Sequence, residues 1–252
     1  MKKSKVLVLL VLVCSLSSCK KWWGEDEDYN PYEGMTATQL YNESQKEMSR
    51  EKYTSAIKHL EALETMYPFN DFAEQAEIQL IYAYYKKGDY ASSAATAERF
   101  IHLYPRDKRV DYAYYMKGLA NFQQTRGTLA SLLPIDESWR DPGTQSQAYS
   151  DFATLIQKFP DSKYKANALQ RMIYLRNMFG AHELNVANYY YERKMYVAAA
   201  ERASYLVKTY PQAPSAKAGL ALLYHANLQL GLKSAANDAL TVYRSTYHSN
   251  PR

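Results

Sequence analysis

The chain has 252 residues, 31 basic against 26 acidic, and a 47% hydrophobic, 23% charged composition that excludes a wholly disordered or collagen-like protein. Nine glycines and nine prolines are few for a fold of many short strands, which needs turn chemistry roughly every 8–12 residues, so the composition leans towards helices. Both cysteines, Cys14 and Cys19, stand within the first twenty residues, which excludes disulfide staples, thiol catalysis and cysteine-based zinc sites from the body of the chain.

In chain order, Lys2, Lys3 and Lys5 precede an unbroken apolar run over residues 6–13. As a helix that run spans about 12 Å, far short of a hydrocarbon core of about 30 Å, so it reads as a secretory h-region rather than a membrane span. Leu16-Ser17-Ser18-Cys19 follows and resembles the bacterial lipobox, whose small pair suits a peptidase cleft and whose cysteine is lipidated. The alternative is an ordinary signal peptide with an incidental cysteine; lipidation is favoured because the mature chain has no other. The reading is a signal peptide over 1–18 and a lipidated tether over 19–35, with Cys19 carrying N-palmitoyl and S-diacylglycerol groups.

Cleavage removes three lysines and no acids, leaving 28 basic residues against 26 acidic and a charge of +2. With no basic stripe, nucleic acid is not an expected partner. Lys20 after the cysteine, where an aspartate is absent, implies outer-membrane sorting by resemblance to enterobacteria-like lipoproteins. In the tether, Trp22-Trp23 suits a membrane interface, and the acidic run over residues 25–28 with Pro31 and Gly34 suits a flexible linker. Lipid plus tether means anchored to the membrane, not spanning it.

The body carries an internal repeat. Aromatic–proline pairs recur at Tyr67-Pro68, Tyr104-Pro105, Phe159-Pro160 and Tyr210-Pro211. Fifteen residues before the proline stand Tyr53, Tyr90 and Tyr196; twelve before, Ala56, Ser93, Ala148 and Ala199; five before, Leu63, Phe100, Leu155 and Leu206. Eight after it a small residue returns as Ala76, Ala113, Ala168 and Gly219. The offsets trace a helical stripe, and each Tyr-Pro closes a helix because proline cannot continue one and drives its predecessor out of the α region. Gly88 is read as a left-handed C-terminal residue and Asp89 as the next cap, while Thr36–Gln39 and Asp71–Glu74 have the form of capping boxes.

Successive aromatics are 37, 55, 51 and 37 residues apart, the last at Tyr247, and the short spacing lies near the 34-residue tetratricopeptide period. The first long spacing places an ordered insert at about residues 123–142. The second, within 163–194, holds one long helix or two end to end, with a break near Gly180 as the other possibility. The expected fold is all-α: a right-handed superhelical solenoid of five tetratricopeptide-like helix pairs at roughly 36–66, 71–104, 107–159, 162–210 and 213–247. The repeat domain covers 36–247, with an N-terminal half over 36–122, a C-terminal half over 143–247 and a tail at 248–252.

No enzymatic chemistry assembles from the sequence. His59, His102, His182, His225 and His248 lack metal-ligand spacing, and there is no G-x-S-x-G, glycine-rich phosphate loop or H-E-x-x-H. Carboxylates such as Glu74 and Glu77 read as a solvated helix face. No cofactor and no metal are expected. Tyrosine is the excess, at 25 residues, and it clusters as Tyr82, Tyr84 and Tyr85, as Tyr112, Tyr114 and Tyr115, and as Tyr189, Tyr190 and Tyr191. Neighbouring tyrosines on a helix cannot all face one core, so some pack between helices and others are left for partners.

Lipobox, tether and repeats together resemble the BamD family, the tetratricopeptide lipoproteins of the outer-membrane β-barrel assembly machinery. The resemblance rests on Leu60-Glu61-Ala62-Leu63 through Tyr67-Pro68-Phe69, Leu80-Ile81-Tyr82-Ala83-Tyr84-Tyr85-Lys86 and Arg99-Phe100-Ile101. It continues through Arg140-Asp141-Pro142, Ser150-Asp151-Phe152 and Tyr189-Tyr190 with Glu192-Arg193. It implies a non-enzymatic scaffold on the periplasmic face of the outer membrane of a Gram-negative bacterium. The C-terminal half would hold the last periplasmic domain of BamA, with Arg202 as the interface arginine and Tyr189, Tyr190 and Arg193 nearby. The N-terminal half would receive unfolded β-barrel proteins at Tyr67, Phe69, Tyr82 and Tyr85, and smaller accessory lipoproteins would dock as well. Lys194-Met195 departs from the glycine turn expected before the helix of Arg202. The runner-up is a periplasmic repeat adaptor of the Tol–Pal or cell-division type, which typically has an N-terminal coiled coil and no lipobox; no sustained heptads precede residue 36.

Overall fold

The structure, a computed structural model, describes residues 30–124, 138 and 143–251. The signal peptide, Cys19, Trp22, Trp23, the acidic run and most of the expected insert lie outside the described residues. Ten helices form among those described: α1 (Ala37–Ser49), α2 (Tyr53–Met66), α3 (Ala73–Lys87), α4 (Tyr90–Leu103), α5 (Val110–Gln124), α6 (Gly143–Lys158), α7 (Lys165–Glu192), α8 (Tyr196–Thr209), α9 (Ala216–Gln229) and α10 (Lys233–Tyr247). Each packs on its successor, and α3 also touches α5 as α7 touches α9, so the chain is a tetratricopeptide-type solenoid of five helix pairs.

The repeat offsets have structural meaning. Tyr53, Tyr90 and Tyr196 open α2, α4 and α8, while Tyr67, Tyr104 and Tyr210 are the C-caps that close them. The small and large apolar residues at the intervening offsets, from Ala56 to Leu206, are all fully buried. Beyond three of the four aromatic–proline pairs the chain turns on a side chain two residues after the proline, a position that Ala213 fills in the fourth. Asn70, Asp107 and Ser162 there accept hydrogen bonds from the backbone N–H of Phe72 at 2.6 Å, Arg109 at 2.6 Å and Tyr164 at 3.2 Å.

The same device corrects one of the two expected capping boxes. Thr36 and Gln39 do form one at the start of α1. Asp71–Glu74 does not: α3 begins after Phe72 with no side-chain cap, because Asn70 has already fixed the turn and the helix starts too late for Asp71 to cap it.

The turns inside the pairs are also repeated, in a way the sequence concealed. Glu51, Gly88, Lys194 and Gly231 all take left-handed backbone, with φ of 57°, 85°, 61° and 72°. In each turn the following N–H reaches back to a carbonyl five residues earlier: Lys52 to Glu47, Asp89 to Tyr84, Met195 to Tyr190 and Leu232 to Asn227, at 2.9–3.0 Å. This is the Schellman ending. The departure at Lys194-Met195 therefore leaves the geometry unchanged, with a lysine held where glycine would rest without strain.

Of the two possibilities for residues 163–194, the structure forms one helix of 28 residues, unbroken at Gly180. Gly180 serves a close approach instead: a Cβ there would come within 2.7 Å of both the Ala213 Cβ and the Ser215 Oγ. The expected insert begins later than residue 123, since α5 runs to Gln124. Within it Ser138 is buried against α7, its carbonyl bonded to His182 and its hydroxyl to Asn185, both at 2.7 Å.

The interior changes along the solenoid. The largest core runs from α3 to α7 and holds Phe100, Phe152, Leu155, Leu175 and Phe179; an aliphatic one joins α1 to α3 through Leu40, Leu60, Leu63 and Leu80. Between α7, α8 and α9 the core is mostly methyl groups, from Ala187, Ala199, Ala203 and Ala226 with Leu222. The last pair is held by Leu220, Ala239 and Tyr243. Among the described residues no helix is long and apolar enough to cross a membrane.

Candidate partner-binding surfaces

The tyrosine clusters separate by position. In α5, Tyr115 stacks on Tyr164 at 4.6 Å and bonds Asn167 at 2.8 Å; Tyr112 also meets Tyr164, and Tyr114 meets Phe159 and accepts from Lys158 at 2.8 Å. All three serve the scaffold. In α3, Tyr84 donates to Glu61 and Tyr85 packs edge-on to Tyr90 at 5.4 Å within the large core, while Tyr82 keeps 38% of its surface exposed beside Tyr53. In α7, Tyr190 and Tyr191 pack against the alanine core and Tyr189 is 45% exposed.

At the junction of α7 and α8, Arg202 Nη1 donates to Glu183 at 3.2 Å; the carboxylate is buried and the guanidinium half exposed. Guanidinium carries several N–H donors in a planar fork, so one bond to Glu183 leaves others for a second carboxylate. Arg193 covers the Tyr189 ring at 3.6 Å from its centroid and donates to the Tyr189 carbonyl at 3.3 Å, and Tyr190 meets that ring edge-on at 5.6 Å. Tyr189, Tyr190 and Arg193 thus form one cluster at the end of α7. Arg202 stands apart on α8, pairing with a residue about 9 Å back along the α7 axis.

In the N-terminal half the four expected residues do not form one surface. The Tyr67 hydroxyl donates to the Met35 carbonyl at 2.7 Å and its ring packs on the aliphatic core. Phe69, two residues on, is fully exposed. Tyr82 and Tyr85 stand on α3, the latter in the large core. Around the Pro68–Asn70 turn lies a charged cluster that gathers Glu77, expected on a solvated helix face, with Glu64 and Arg99. Arg99 Nε donates to Glu77 at 2.7 Å, and Arg99 Nη2 holds both oxygens of Glu64 at 2.9–3.0 Å. Burial and the charge of Glu77 push the Glu64 carboxyl up to about 7 against the pull of Arg99. At the next turn the opposite holds: hydrogen bonds from Arg109 hold Asp107 down to about 2 despite its burial.

Two open grooves at the C-terminal end were not visible in the sequence. One of about 700 Å³ lies between α7, α9 and α10, lined by Asn188, Tyr191, Lys217, Leu222, His225 and Tyr243. The other, of about 790 Å³, lies between α8, α9 and α10, lined by Tyr205, Leu220, Leu223, Ala239 and Val242. Met195, Val197, Leu228 and Leu232 add exposed apolar surface nearby. The signal was apolar residues off the repeat offsets, such as Val197 and Val242, which the stripe leaves no room to bury.

A protein-family model described as an outer membrane lipoprotein (YfiO) matches residues 33–242. The outer membrane protein assembly factor BamD of Neisseria meningitidis serogroup A is 36% identical over 247 residues, covering 98% of this chain and 92% of its own. The protein of that name from Vibrio cholerae serotype O1 is 39% identical over 198 residues, covering 79% of this chain and 82% of its own. Among solved structures, a tetratricopeptide repeat protein from Parabacteroides merdae aligns over 83% of this chain and 79% of its own at 12% identity, with a TM-score of 0.39.

Proposed function

The chain belongs to the BamD (YfiO) family of outer membrane lipoproteins, and from that premise we propose that it is a non-enzymatic scaffold that binds BamA and unfolded β-barrel proteins for their folding and insertion into the outer membrane. In this reading Cys19 carries the lipid and the repeat domain hangs on the periplasmic face. The C-terminal half holds the periplasmic domain of BamA, accessory lipoproteins dock beside it, and the N-terminal half receives unfolded barrel segments. The observation that carries the reading is the C-terminal end itself. Two grooves and several exposed apolar side chains stand on the helices around a half-exposed arginine, and apolar surface gathered in this way supports a partner-binding face.

The geometry supports a role for each residue. Arg202, braced by Glu183, presents its remaining donors to a carboxylate of BamA, and the Tyr189–Arg193 stack with Tyr190 supplies a rigid aromatic contact. Phe69 and Tyr82 offer exposed rings to alternate side chains of an extended strand, with Tyr67 and Tyr85 holding the backbone and helix that present them. Arg202→Glu should abolish BamA co-purification while the helical circular dichroism persists. Because that change sets two carboxylates together, Tyr189→Ala, at an exposed ring, serves as a second variant and should weaken it several-fold. Unchanged co-purification in both overturns the interface. Cys19→Ala should release the protein from membranes; a variant still sedimenting with lipid after a salt wash contradicts the anchor.

A further inference from the structure

The Arg99 cluster opens into a cavity of about 230 Å³ between the first and second helix pairs, lined by Glu64, Pro68, Asn70, Glu77, Arg99 and Leu103 among others. At about 30 Å³ per water molecule this is room for the end of one long side chain and little more. Its lining carries two carboxylates and a single cation. Arg99 bonds both acids, but only through Oε1 of Glu77. Glu77 is 5% exposed, and its Oε2 is buried with no hydrogen-bond partner. A buried carboxylate oxygen without a donor is costly, and one that lines a cavity calls for a donor from outside. Glu64 and Glu77 crowd one another around that single guanidinium: burial, and then the charge of Glu77, raise the Glu64 carboxyl. Leu103 in the lining is 58% exposed, and Phe69, which stands in the chain between the lining residues Pro68 and Asn70, is fully exposed.

We propose that this cavity receives the ammonium or guanidinium of a lysine or arginine in an extended partner segment, while an apolar side chain two residues along lies on Phe69 and Leu103. Residues i and i+2 of a strand share a face, about 6.8 Å apart, so one edge of an extended segment presents both. Glu77 Oε2 accepts from the incoming cation and Glu64 shares its charge between that cation and Arg99. This deepens the function proposed above and rests on its claim that the N-terminal half takes extended segments; it adds the chemistry that is recognised.

The test is fluorescence anisotropy with the full-length lipidated protein in detergent and a capped, labelled ten-residue peptide of threonine and valine carrying one lysine with a phenylalanine two residues on. A second peptide replaces the lysine by norleucine, which keeps the stem and removes the charge. The lysine peptide should bind about tenfold more tightly than the norleucine peptide, and Glu77→Gln should remove that difference. Phe69→Ala, at a side chain with no packing role, should weaken both peptides alike and keep the lysine preference. Equal binding of the two peptides to the wild-type protein overturns the cation site while leaving the N-terminal half as a receiver of extended segments. Binding of neither at millimolar concentration overturns both.

Discussion

The first two helix pairs and the last two share a backbone plan down to the hydrogen bonds of their turns, yet they are finished differently. The N-terminal junction is spanned by ion pairs in which only the Glu77 and Asp107 side chains are buried: Arg99 to Glu64 and Glu77, Arg109 to Asp107 and Glu74. The C-terminal junction has the Arg202–Glu183 pair, an interior of methyl groups, and most of the large apolar side chains left in solvent. In a solenoid the repeat offsets fix only the residues between helices, so the rest of each helix is free to diverge. One end has kept a polar, partly hollow surface with a single exposed phenylalanine, the other an apolar one. That division fits the two kinds of partner proposed above.

Truncation in the two cores gives the largest effect that would break this comparison. Phe100, fully buried where α3 to α6 meet, should cost about 3–5 kcal/mol as Phe100→Ala, whereas Ala203→Gly in the alanine core should cost only about 1 kcal/mol, both read by urea unfolding. Equal losses would mean that the two interiors are not different in kind. Gly180→Ala should cost about 2 kcal/mol, because the new methyl meets the Ala213 Cβ, which only a backbone shift can move, and the loss should show first in the C-terminal pairs by hydrogen exchange.

The two ionised junctions of the N-terminal half should respond to pH in opposite directions. Asp107 titrates below its ordinary value when folded, so its contribution is present above about pH 4 and is lost as pH falls through about 2. Glu64 titrates above its ordinary value, so its contribution is present below about pH 4.5 and is lost as pH rises through about 7. Each is worth on the order of 1–2 kcal/mol. Asp107→Asn should flatten the acid limb of a stability–pH curve and Glu64→Gln the limb between pH 4.5 and 7. The smallest effect lies in the turns: Lys194→Gly relieves a left-handed lysine and should stabilise by about 0.5–1 kcal/mol, while Gly88→Ala should destabilise by a similar amount. If Lys194→Gly loosens the Tyr189–Arg193 stack instead, the lysine is there to position that surface.

The scaffold was legible in the sequence because its contacts recur. Ala56, Leu63 and Tyr67 announce a helix because residues of the same kind reappear at the same offsets from each proline, with Tyr53 matched in three of the four units, and those residues are the ones with which the fold opens, fills or caps its helices. The turn at Lys194 was not legible, since a left-handed residue is visible only when it is glycine. Nor was the role of Gly180, which reads as a break in isolation and acts as a contact once Ala213 is folded against it. The surfaces were less legible still. Tyr112, Tyr114 and Tyr115 look as available as Tyr189 in the sequence, and only the stacking partner Tyr164, about fifty residues away, removes them from the surface. Glu77 reads as solvated because the guanidinium that gathers it with Glu64 comes from another helix.

The division of partners can be measured directly by placing a photocrosslinking phenylalanine analogue at Phe69 and, separately, at Tyr189, and irradiating intact cells. The account predicts unfolded barrel proteins attached at position 69 and BamA attached at position 189. The same partner captured at both positions, or the two exchanged, would contradict it.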